Sequence, residues 1–262
     1  MNFIKKISMV IITVIMLIHL SCYRDAIDLD LDEIQSQVVI EGNITDLSGP
    51  YIVKISKPVY FTAAGGFQPI SDAEVIITDD NGFSEILQEG TDGYYKSHNL
   101  QGVPGNTYSL IVSIEDEKYT AISTMPQVIA LDSIKINSGF GVVNGISCYF
   151  TDPAGVENFC RLKVFRNGEL IYTYLYHDRY SDGQQIVIDD IDDIDWGDQV
   201  EIQIMAIDKP VFEYFETLSE YSETSNASST LLTPFNPKTN ISNNALGYFS
   251  AHTFRRYSFV VQ

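Results

Sequence analysis

Positive charge, histidine, cysteine and tryptophan are all scarce in this chain, and each scarcity removes a class of function. Sixteen Lys and Arg stand against 35 Asp and Glu, for a formal charge of −19. A body so acidic, with no basic patch along it, is repelled by nucleic acid. The four histidines, His19, His98, His177 and His252, are scattered. No H-x-x-x-H or Cys/His cluster offers a zinc set. There is no G-x-S-x-G elbow and no glycine-rich loop ending in a phosphate-binding Lys. Beyond Leu20 no apolar run approaches the length of a bilayer span. The residues therefore give no catalytic set, metal or cofactor. Binding is the expected mode of action, with an enzyme of dispersed site as the distant alternative.

What the chain has first is an exported beginning. Lys5 and Lys6 precede an apolar stretch from Ile7 to Leu20, which has the order of a secretory signal. The segment closes on Ser21-Cys22, a small residue followed by cysteine, which resembles the lipobox of bacterial lipoproteins with Cys22 as the lipidated first residue. Position −3 is His19, where leucine is usual. A multiply acylated cysteine holds a soluble body at a membrane without a spanning helix. Residues 1–21 are thus expected to be signal peptide. Residues 22–36 then form an acidic tether, in which Asp28, Asp30 and Asp32 share one face of an extended chain and Ile27, Leu29 and Leu31 the other.

From Val38 the text is short alternating segments between Gly, Pro, Asn and Asp, such as VVIEGNI, YIVKIS, AEVIITD and TYSLIVSI. Asn81-Gly82 and Asn167-Gly168 mark tight hairpins. The fold class is mainly β: two β-sandwich domains, immunoglobulin-like or transthyretin-like, over 37–126 and 127–262, joined at MPQVIALDSI. In DKPVFEYFETLSEYSE the period turns helical, with Val211, Tyr214, Phe215, Leu218 and Tyr221 on one stripe, Asp208 as N-cap and Pro210 in the first turn. That predicts one late helix near 209–223. Cys148 and Cys160 lie in register with apolar neighbours; a disulfide across a hairpin and two buried free thiols explain them equally well.

Taken in order, the lipobox and IDLDLDE, then VVIEGNIT, YIVKISKPVYF, PISDAEVIITDDNG, GYYKS, GNTYSLIV, PQVIALDSI, FRNGELI and NISNNALGYFSA resemble a family of Bacteroidota lipoproteins known as a domain of unknown function. The resemblance spans essentially the whole chain after Cys22. It implies a two-part β-rich lipoprotein of the outer membrane, facing the cell surface more readily than the periplasm. Such proteins are commonly encoded beside TonB-dependent receptors, which implies an accessory role with such a barrel protein. It carries no catalytic residue. An independent glycan- or peptide-binding surface lipoprotein is the alternative.

Several residues are candidate contacts. Phe67, near the tip of FTAAGGFQP, is either a partner-docking residue or part of a disordered insertion in a hairpin. Tyr172, Tyr174 and Tyr176 share one strand face, either as an exposed ladder or as core beneath the aromatic helix. Asp132-Ser133-Ile134 resembles the O-glycosylation acceptor of exported proteins in that phylum, with Ser133 as acceptor, against a plain strand start. Six aspartates around Trp196 (Asp189, Asp190, Asp192, Asp193, Asp195 and Asp198) read as an acidic loop rather than a calcium site, since their spacing fits no established calcium loop.

Overall fold

The computed structural model describes residues 37–58, 67–226 and 236–262, with no description of the side chains of 190 and 221–226. Residues 36–262 gather into one compact unit. The lipobox, Cys22 and the acidic tether lie outside the described residues.

The described chain is mainly β, in three sheets with one helix. The largest sheet has nine strands. In order across it run β13 (Glu169–His177), β12 (Phe159–Arg166), β15 (Gln199–Ile207), β16 (Leu246–Val260), β1 (Val39–Thr45), β2 (Ile52–Pro58), β7 (Tyr94–Lys96) and β6 (Gln88–Glu89), with β3 (Phe67–Pro69) also pairing β2. A four-stranded sheet runs β5 (Ser84–Ile86), β4 (Glu74–Asp79), β8 (Thr107–Ile114) and β9 (Glu117–Thr124). A three-stranded sheet holds β10 (Ser133–Gly139), β11 (Val142–Thr151) and β14 (Gln185–Ile191). The helix, α1, spans Lys209–Asn226.

Alternation decides which face each strand buries. On β16 the odd positions turn inward and the even positions outward. Phe249 and Ala251 enter one core cluster with Ile40 and Ile44 of β1, Val53 and Ile55 of β2, and Leu110 and Val112 of β8. Further along the same strand, Tyr257 and Phe259 pack on a second cluster with Leu162 and Val164 of β12, Ile202 and Ile204 of β15, and Ile146 and Phe150 of β11. Two buried clusters therefore share one long strand. Its first half pairs β1 in parallel, from Val39 with Leu246 to Thr45 with His252, and its second half pairs β15 antiparallel. The joint before β10 is fastened at both ends, Met125 in the first cluster and Ile129 and Leu131 in the second.

Gly247 permits the parallel pairing. Its φ of +93 suits glycine, and a Cβ there would collide with the Ile40 carbonyl oxygen. The two expected hairpins form differently. Asn167 and Gly168 both take positive φ, 52 and 88, between β12 and β13, as a type I′ turn requires. Between β4 and β5 only Gly82 does so. There the Asp79 carboxylate accepts the N–H of Asn81 at 3.0 Å and of Phe83 at 2.8 Å.

The segment around NISNNALGYFSA solves an edge problem. Beyond β1, no described strand pairs the first half of β16, and side chains take the place of one. Asn240 donates Nδ2 to the Phe249 carbonyl at 2.7 Å, and its Oδ1 accepts the Phe249 N–H at 2.9 Å. Thr239 Oγ1 donates to the Gly247 carbonyl at 2.8 Å, and Ser123 Oγ accepts the Ala251 N–H at 2.8 Å. Buried backbone groups must be paired, and this stretch pairs them.

Candidate functional site

The outward positions of the nine-stranded sheet meet α1. Asp208 caps the helix, its Oδ1 accepting the Val211 N–H at 3.2 Å. Its Oδ2 accepts from Ser123 Oγ at 2.8 Å and from the Thr124 N–H at 3.0 Å, tying the cap to β9. Burial raises this carboxyl above its ordinary range, against the pull of those donors. Val211 and Phe212 then pack on Phe159, Met205 and Ile207, with Phe215 and Tyr248 alongside.

Beside this helical patch two cavities run across the outer face, of about 440 and 400 Å³. They share Asn43, Thr45, Leu47 and Tyr248, and Asn43 Nδ2 donates to Tyr248 Oη at 3.3 Å where they meet. The first continues to Lys54 and Tyr94. Lys54 Nζ lies 5.7 Å from the ring centre of Phe67 and 5.8 Å from that of Tyr94. Phe67, 60% exposed, thus stands at the far end of the same face.

The second cavity lies between β12, β16 and α1. Arg161 stacks its guanidinium 3.8 Å from the Phe215 ring centre. Lys163, two residues on, shares its face, and Arg256 and the buried His252 complete the polar wall. Desolvation lowers the pKa of Arg161, and desolvation followed by the Arg161 charge lowers that of Lys163. His252 is pushed down to about 4, chiefly by burial, and so is neutral at pH 7. Its Nδ1 lies 3.0 Å from Ser250 Oγ.

The residues singled out from sequence fall elsewhere with one exception, Phe67. Cys148 and Cys160 are free buried thiols. Their strands do not form a hairpin: β11 pairs β10 and β14, whereas β12 pairs β13 and β15. Burial pushes the Cys148 thiol up to about 12 and raises Cys160 as well. The tyrosine ladder is corrected. Tyr176 is buried, bonding Ser181 Oγ through its hydroxyl at 2.8 Å and meeting Phe150 edge-on. Tyr172 and Tyr174 stack at 6.5 Å and pack half-buried on the second core cluster. The helix covers the opposite face of β13, where Leu175 joins its patch and His177 meets Phe212. Ser133 is exposed as the first residue of β10.

The acidic loop closes on itself. Asp198 accepts from the Asp195 N–H at 2.8 Å and from Asn167 Nδ2 at 2.7 Å, and these donors lower its pKa. Trp196, 46% exposed, donates Nε1 to the Gly141 carbonyl at 2.9 Å.

Sequence reasoning missed two groupings. Arg161 and Lys163 come from β12 and Arg256 from β16, and only the one-residue gap in RLK hinted at a shared face. Asp152, Asp178 and Asp182 converge to within 4.8 Å. Each accepts a backbone N–H, from Gly183, Asn158 and Gly155 respectively, so together they fasten two facing turns.

The described chain is thus a mainly β body with two neighbouring cavities on the outer face of its largest sheet. Residues 24–258 match the model of the family described as Domain of unknown function (DUF4249), and the chain belongs to that family. No curated protein matches it.

Proposed function

We propose that this protein is a non-catalytic outer-membrane lipoprotein, anchored through Cys22, that serves as an accessory subunit of a TonB-dependent transporter. On this reading the two buried clusters are the cores of two sandwich-like halves, immunoglobulin- or transthyretin-like in kind. The outer face of the nine-stranded sheet is the working surface, and the face itself carries the proposal: two connected cavities and the exposed Phe67 lie along it.

The test is a gentle detergent pull-down of the tagged full chain from native membranes, with Cys22→Ala beside it. One stoichiometric TonB-dependent receptor, lost with Cys22→Ala and weakened by Phe67→Ala, is the expected outcome. Recovery of the intact protein alone would sink the accessory role and favour an independent glycan or peptide binder.

A further inference from the structure

The second cavity differs in charge from the rest of the chain: in a protein of −19, the described residues of its wall include Arg161, Lys163 and Arg256 and no Asp or Glu. Of these three cations, only Arg256 has a carboxylate partner among the described residues, Glu201 at 3.4 Å. The Arg161 Nε is buried without a hydrogen-bond acceptor. A buried guanidinium N–H without an acceptor is costly, and setting a lysine beside the group adds repulsion. An acidic protein has carboxylates in abundance to neutralise such a pair. Here none lines the cavity, and the nearby acids are engaged elsewhere: Asp46 by Arg255 at 2.6 Å and Glu41 by Lys54 at 3.7 Å.

The rest of the wall limits what could supply the missing negative charge. Met205, Phe215 and Phe254 set apolar surface beside the cations: Met205 is the cross-strand partner of Arg161, and the Phe254 ring centre lies 5.5 Å from the Arg256 guanidinium. Phe215 holds the Arg161 plane by stacking, which leaves the edge of the fork free to grip two oxygens. A volume of about 400 Å³ lies within the range of small-molecule sites.

We infer that this cavity is a binding site for a small organic anion, one carrying a carboxylate or phosphate for Arg161 and Lys163 and an apolar portion for Phe215 and Met205. The inference rests on the reading of this chain as a binding protein, but it does not require a transporter partner.

The experiment is calorimetric titration of the purified full chain in detergent with 3-phenylpropionate and phenyl phosphate. The neutral 3-phenylpropanol serves as control, and all runs are made at matched ionic strength. At least one of the two anions should bind while the alcohol does not. Arg161→Met should weaken that binding by about tenfold or more, as loss of one charge-assisted contact does. Lys163→Gln, at a less buried position, should weaken it in the same direction and covers the case in which Arg161→Met does not fold. The inference is overturned if neither anion binds up to about 10 mM, if the alcohol binds as well as the anions, or if a folded variant binds like the wild type. A failed pull-down with intact anion binding would remove the transporter role and leave the site standing.

Discussion

Asn240 supplies two hydrogen bonds to the backbone of a single residue, Phe249, on the edge of β16 that no described strand pairs there. Asn240→Ala leaves a buried N–H and C=O unpaired, and the expected cost is about 3 kcal/mol, read as a lower denaturant midpoint at unchanged slope. His252 gives a pH signature. Its folded pKa is near 4, against about 6.5 in an unfolded chain. Between those values the unfolded chain takes up a proton that the folded one refuses. Stability therefore falls as pH drops from about 6.5 to about 4, by about 3 kcal/mol in all, and this contribution is flat below. Asp208, with its pKa raised, slopes the other way. The difference between wild type and His252→Gln isolates the histidine, and parallel curves for the two proteins would refute the assignment. The raised thiols of Cys148 and Cys160 should stay unreactive to a disulfide reagent in the native state and react on denaturation.

Element by element, local pattern carried much of the fold. Period-two alternation located strands such as β1, β8 and β15, and Asp208 with Pro210 marked the start of α1, because strands and caps are set by neighbours in sequence. Pairing is set by distant residues, and there legibility stopped. The spacing of Cys148 and Cys160 suits a hairpin, yet β11 and β12 join different sheets. Tyr172, Tyr174 and Tyr176 share a face as expected, but which face the helix covers depends on how β13 lies in the sheet. The cationic cavity was hidden for the same reason, since Arg161 and Arg256 meet only through β15 between them. The Asp208 cap offers a test of α1. Asp208→Ala removes acceptors for Ser123, Thr124 and Val211 and should cost about 2 kcal/mol. Asp208→Asn, which keeps an oxygen acceptor, should cost less.

For the molecule as a whole, a strand common to both buried clusters couples them. Gly247→Ala strains a left-handed backbone position and drives a methyl group at the Ile40 carbonyl. Because β16 continues into the second cluster, the damage should not stay local. Calorimetry should show one transition in the wild type and one lowered transition in the variant. Two separable transitions, with only the lower one moved, would show that the clusters melt independently. The parallel pairing of β1 with β16 also fixes an order in time. Of the described strands β16 comes last in sequence, yet it stands between β1 and β15, so the nine-stranded sheet cannot close until residues 246–260 have been synthesised. A message cut short before residue 246 would yield a protein with both cores exposed along one line.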